Sequence, residues 1–202
     1  MRWACPNRYE SCMAQNETVS GPQRILVREG LLVEYAPGRA APADLTTRPC
    51  LRAALLVPLL PVGATAVSLS ALWIHTGWWP PDRPPTVLGA HSGHSRPPIV
   101  LRRSIPTEYV RMIGGLAVTN PARTGADLLL MERTDVAIEG ILRLFDTCLS
   151  VHELQAHLQL ESRRPGLPRA RAIAAQLPAY VRHRRRIAIR SAHARLSAPS
   201  RR

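Results

Sequence analysis

The sequence predicts an α+β protein, and three observations carry that prediction. Helix-like apolar runs lie towards both ends of the chain, with short β-prone runs bounded by Pro and Gly between them. Nineteen prolines in 202 residues, about twice the ordinary share, favour many short elements over long helices. An apolar fraction of 46% supplies a buried core, and the length allows one ordinary domain or two small ones. Phe145 is the sole phenylalanine, so that core is expected to be Leu, Val, Ala and Trp.

Residues 1–21 are polar and weakly periodic. Residues 23–30 then read as a short helix stopped by Gly30, residues 31–35 as a strand, and Pro37-Gly38 as a turn. A helix end, a stop glycine, a strand and a turn carrying Arg39 resemble the last part of a winged helix-turn-helix. The same pattern equally fits any small α+β connection.

Residues 53–74 contain no charge, follow Arg48 and Arg52, and precede Trp78 and Trp79. That length and those flanks fit a membrane-spanning helix. Pro58, Pro61 and Gly63 oppose it, because a proline inside a helix costs about 3 kcal/mol. The expectation is two buried helices, 51–60 and 64–74, with a membrane-anchored protein as a rival. A loop region rich in Pro, Gly, Ser and His follows, at 77–98. Strands are expected at 85–88, 99–103 and 116–119. Thr119 is placed to cap a helix with Pro121 in its first turn, and a second helix is expected over 135–148. A third begins at Ser150, where Ser150 and Glu153 make a capping box. Pro165-Gly166-Leu167-Pro168 breaks the chain, residues 169–180 form one more helix, and the basic tail beyond Val181 is expected to be disordered on its own.

Charge is unevenly distributed. Residues 1–161 hold 15 arginines against 14 carboxylates, whereas residues 162–202 hold 12 arginines and no acid, which leaves +12 of the total +13 in the last stretch. Every basic side chain of the Lys/Arg kind is arginine, a pattern that G/C-rich coding produces. Such a cluster attracts polyanions whatever its fold.

Catalytic arrangements are hard to draw. The carboxylates are scattered, and the nearest thing to a cluster (Asp127, Glu132, Asp135, Glu139) reads as solvated helix faces and helix starts. His91 and His94 lie three apart in a polar loop with no third ligand nearby, and His75 reads as a satisfied, partly buried histidine. Cys5, Cys12, Cys50 and Cys148 form no C-x-x-C pair. No nucleophile elbow or phosphate-binding glycine loop occurs. The expectation is a non-enzymatic protein without metal, cofactor or small-molecule substrate. Residues 1–30 carry charges throughout, so no signal peptide is visible and a cytoplasmic location with reduced thiols follows. For DNA there are two candidate surfaces. Arg24, Arg28 and Arg39 would line a helix and wing at the front, and Arg182, Arg184, Arg185, Arg186 and Arg190 would track phosphates at the back.

Two stretches together resemble the AbiEi-like antitoxin family of actinobacteria, from type IV toxin–antitoxin systems. Residues 30–38, Gly-Leu-Leu-Val-Glu-Tyr-Ala-Pro-Gly, running into Ala41-Pro42-Ala43-Asp44, are similar to the wing and linker that close the family's N-terminal winged helix. Ala71-Leu72-Trp73-Ile74-His75-Thr76-Gly77, with residues 113–124 (Ile-Gly-Gly-Leu-Ala-Val-Thr-Asn-Pro-Ala-Arg-Thr), is similar to its A-A-W-x-H-G helix and V-T-x-P-x-R-T segment. The resemblance covers about residues 22–172. It implies a partial winged-helix DNA-binding region at 1–44 and an α+β antitoxin-like domain at 45–161, to which the composition adds an Arg-rich helix and a disordered basic tail at 162–202. It also implies repression of its own operon through upstream DNA, and neutralisation of a cognate toxin protein. The Pro121-Arg123-Thr124 segment would be structural, shaping a strand-to-helix turn. Longer relatives continue into a very-short-patch-repair-like endonuclease domain. A truncated remnant or relative of that branch, or the toxin of such a pair, is therefore the enzymatic alternative. The residue alphabet beyond about Tyr180 is that of out-of-frame G/C-rich coding, and a frameshifted end is an expectation from that composition.

Overall fold

The computed structural model describes residues 21–36, 38–80, 85–89, 99–101 and 104–196, with side chains described as far as Arg184 in the last helix. The fold is α+β, with helices around a two-stranded and a five-stranded sheet.

The chain enters through α1 (Gly21–Arg28), none of whose residues is buried. Gly30 at φ 75° ends it: Gly30 N–H donates to Val27 O and Leu31 N–H to Leu26 O, the paired closure that a left-handed residue permits. Strands β1 (Leu32–Ala36) and β2 (Arg39–Pro42) then pair antiparallel, with an irregular register between Glu34 and Ala36. Gly38 N–H donates to the Glu34 carboxylate at 3.0 Å.

The uncharged stretch at 53–74 is not one helix. It divides into α2 (Pro49–Leu56), a 3-10 turn (Val57–Leu59), β3 (Thr65–Ala66) and α3 (Ser68–Thr76). The second expected helix, 64–74, is corrected in its first turn, because Thr65 and Ala66 pair with β4 and β7 instead. The break falls at Pro58, Pro61 and Gly63, where the ring constraint and a φ of 73° exclude continuous helix. Helix α3 is buried on every side from Ser68 to Ile74, which accounts for the membrane-like composition without a membrane. Among the described residues no helix is long and apolar enough to cross a bilayer.

The five-stranded sheet runs β5-β4-β3-β7-β6, with β4 (Thr86–Leu88), β5 (Ile99–Leu101), β6 (Val110–Ile113) and β7 (Leu116–Thr119). Of the expected strand 99–103, Arg102 and Arg103 lie outside the described residues. Strand β6 was not expected from the sequence. Gly114 and Gly115, at φ 55° and 83°, turn it back onto β7 in a two-residue hairpin. Helix α4 (Pro121–Met131) follows, capped by Asn120 rather than Thr119: the Asn120 side chain accepts from Arg123 N–H at 2.9 Å. Thr119 is fully buried and its hydroxyl pairs with that of Thr124. Helices α5 (Thr134–Thr147) and α6 (Val151–Leu160) complete the body, and the Ser150–Glu153 capping box forms as expected.

Helix α7 (Leu167–Leu196) departs most from expectation, being helical well beyond Tyr180 where a disordered tail was expected. Ala and Arg rank among the best helix formers, and together they fill much of this stretch. Pro178 lies inside the helix and cannot donate to Ala174 O. The Gln155 side-chain amide of α6 donates to that freed carbonyl at 3.0 Å. Leu167, Ala170, Ala174 and Leu177 belong to the core with Leu128, Ile141 and Leu154, so the first half of α7 is part of the body. A second apolar cluster joins Tyr35, Ala36 and Ala41 of the hairpin to Leu55, Leu56, Trp73 and Val118. Helix α3 contributes to both, with Leu69 and Leu72 facing one and Ala71, Trp73 and Ile74 the other.

Candidate nucleic-acid interface

The eight arginines expected to contact DNA fall in two regions of different character, the α1–β2 front and helix α7. At the front, Arg24 and Arg28 are exposed on α1, and Arg28 lies 3.4 Å from the neighbouring Glu29. Arg39 opens β2, half-buried, with its charge acting on the Tyr35 side chain of β1. Burial pushes the Tyr35 hydroxyl above its ordinary pKa and Arg39 opposes the rise. Tyr35 stacks on Trp73 with centroids 5.5 Å apart, which holds the hairpin to the body. Residues 1–20, where further helices of a complete winged helix would fall, lie outside the described residues.

At the back, α7 sorts its arginines by position. Arg171 donates to Leu158 O, Gln159 O and Glu161 O, which satisfies carbonyls at the end of α6. Arg169 hydrogen-bonds the Thr134 hydroxyl. Beyond Leu177, Arg182 is exposed, and Arg184 is exposed with its guanidinium 3.6 Å from Asp146 of α5. Arg185, Arg186 and Arg190 follow on the same helix. No acidic residue occurs anywhere in α7.

A buried ionic cluster stands at the root of α7, and the sequence analysis missed it. Arg123 Nε donates to Asp127 at 3.1 Å and its Nη1 to Glu161 at 2.6 Å. Arg164 donates to Asp127 at 3.0 Å and to Glu161 at 3.4 Å. Two guanidiniums thus face two carboxylates from α4, the end of α6 and the 161–166 connection, with formal charge balanced. His157 adjoins them, its Nε2 3.4 Å from Glu161 without making a hydrogen bond and its ring edge-on to Tyr109. Burial pushes the His157 pKa down and Arg123 adds to the fall, against Glu161 and Asp127.

This arrangement corrects the expectation that Asp127 and Glu132 are solvated. Asp127 is 2% exposed, and Glu132 is buried with a carboxylate oxygen accepting from Ser68 Oγ at 3.1 Å. Asp135 and Glu139 are solvent-facing as expected, beside Arg133 and Arg143. The i, i+4 spacing of Arg123 and Asp127 was the available signal, and Glu161 and Arg164, distant in sequence, gave none. His75 is half-buried and satisfied as expected, Nε2 donating to Thr119 O at 2.8 Å. Burial lowers its pKa, and Arg52 nearby lowers it further. That Arg52 is itself buried, donating to Thr46 O and to Ile74 O and His75 O, the last two at the C-terminal end of α3.

Chemically, these groups are engaged with one another. Among the described residues no set of three His, Cys, Asp or Glu is placed to hold a metal ion, and His91 and His94 lie outside those residues. A groove of about 440 Å³ between α6 and α7 is lined by His152, Gln155 and Arg171 among others, but Arg171 is held by the α6 carbonyls and Gln155 by Ala174 O. Comparison with known protein families, curated proteins and solved structures returns no match.

Proposed function

We propose that this chain is a cytoplasmic, non-enzymatic DNA-binding regulator of the antitoxin kind, acting on DNA upstream of its own gene and binding a cognate toxin protein. The segregation of charge carries the reading. A body within one unit of neutrality ends in an arginine-bearing helix without acids, which fits a protein that holds a polyanion at one end and keeps other surfaces for protein contact. The helix–hairpin unit α1–β1–β2 with Arg24 and Arg28 exposed supports a winged-helix role for the front. The AbiEi-like resemblance of residues 30–44, 71–77 and 113–124 supports the antitoxin assignment. Against the enzymatic alternative, Asp127 is buried between Arg123 and Arg164, and Glu132 is buried and accepts from Ser68 Oγ.

The test is binding of full-length protein to its own upstream DNA and to a shuffled duplex, together with co-purification of the protein encoded beside it. Selective binding and a stoichiometric complex support the reading. Equal binding to both duplexes with no complex overturns it.

A further inference from the structure

Residues 182–190 of α7 place five arginines and His183 in nine consecutive helical positions without a carboxylate among them. At 1.5 Å per residue that segment is about 12 Å long. Duplex DNA carries one negative charge per ~1.7 Å of axis, so about seven phosphate charges lie along the same length. Arg182, Arg186 and Arg190 stand four residues apart and so share one face of the helix.

We propose that this half of α7 is a sequence-independent contact for duplex DNA, separate from any base reading at the front. The inference rests on the DNA-binding reading above and deepens it. Two observations select the duplex. Single-strand binders need aromatic platforms for the bases, and no Phe, Tyr or Trp follows Tyr180. A helix lying on an anionic membrane needs a broad apolar face with bulky anchors, and residues 182–196 offer only Ile187, Ile189 and Leu196 as large apolar side chains. With five arginines in nine residues and no acid among them, the segment matches the density of phosphate charge along a duplex. Arg184 would exchange its 3.6 Å approach to the exposed Asp146 for a phosphate. The core contacts from Leu167 to Leu177 fix the base of the helix, so the arginine segment is carried on a rooted support.

The experiment measures affinity of the full-length protein for a random 24-base-pair duplex, for the single strand of the same length, and for phosphatidylserine vesicles, over 50–200 mM salt. With five phosphate contacts the log–log slope is about −4.5, a loss of about 500-fold over that range. Full-length protein carrying R182Q, R185Q, R186Q and R190Q keeps its helix content by circular dichroism, and its slope flattens by about 3.6. R182Q alone flattens it by about 0.9. Unchanged slopes in both variants, or tighter binding to single strand or vesicles than to duplex, overturn the proposal. If the quadruple variant loses random-duplex binding while the wild type shows no preference for its upstream DNA, this inference stands and the operator reading fails. If the variant keeps its slope and a preference for upstream DNA, the reverse holds.

Discussion

Replacing Arg123 with Gln tests the cluster that anchors α7. The side chain is 5% exposed and bonds both Asp127 and Glu161, so its loss leaves two buried carboxylates facing Arg164 alone. Removing one partner of a buried ion pair costs roughly 3–5 kcal/mol, because the remaining charge stays desolvated and uncompensated. At 2–4 °C per kcal/mol for a chain of this size, the melting temperature falls by roughly 6–20 °C. D127N unbalances the cluster in the opposite sense, leaving two guanidiniums to Glu161. The double variant restores one cation and one anion, so it is expected to be less destabilised than the sum of the two by roughly 1–3 kcal/mol. Urea unfolding of the four proteins reads this coupling directly. Single losses under 1 kcal/mol that add without coupling would refute the claim that the cluster acts as a closed, charge-balanced unit.

Four further outcomes follow from the geometry. Burial lowers the pKa of both His75 and His157, so their contribution to stability is complete above the unfolded value near 6.5 and is lost as pH falls below it. Two such groups give at most about 2.7 kcal/mol per pH unit, and H157Q should reduce the slope measured by denaturation between pH 7 and 5. Q155A strands Ala174 O, already without a donor because of Pro178, and should cost roughly 1–3 kcal/mol by urea titration. G114A puts a Cβ 2.4 Å from Cys50 O at φ 55° and should cost roughly 2–4 kcal/mol, whereas G115A, with open space around it, should cost only about 1 kcal/mol in the same titration. S150A removes the α6 cap and should cost about 1 kcal/mol, seen as a lower melting temperature.

Local chemistry made much of the fold legible. Gly30 stopped α1, Ser150 and Glu153 started α6, and the prolines at 58 and 61 divided the apolar stretch. Strand β3 was hidden because Thr65 and Ala66 have no pattern of their own and are defined by β4 and β7 on either side. Helix α7 was underestimated because its low complexity resembles a disordered tail, while its alanines and arginines favour helix. The exposed arginines of α1 and α7 were readable from composition. The commitment of Arg123, Asp127, Glu161 and Arg164 to one another was not, since the pairs that close the cluster span 37 and 38 residues. Arg39 was likewise expected at a DNA surface, and its place beside Tyr35, which stacks on the distant Trp73, had no signal in the sequence.

Core residues in the first half of α7 mean that cutting the chain at Glu161 would damage the body as well as remove charge. Full-length protein is therefore the material for the decisive measurement, fluorescence anisotropy with its own upstream DNA and with a shuffled duplex of equal composition at 150 mM salt. A DNA-binding regulator predicts a preference for the upstream sequence of about 1,000-fold or more. Equal affinity for the two duplexes would contradict the regulator account.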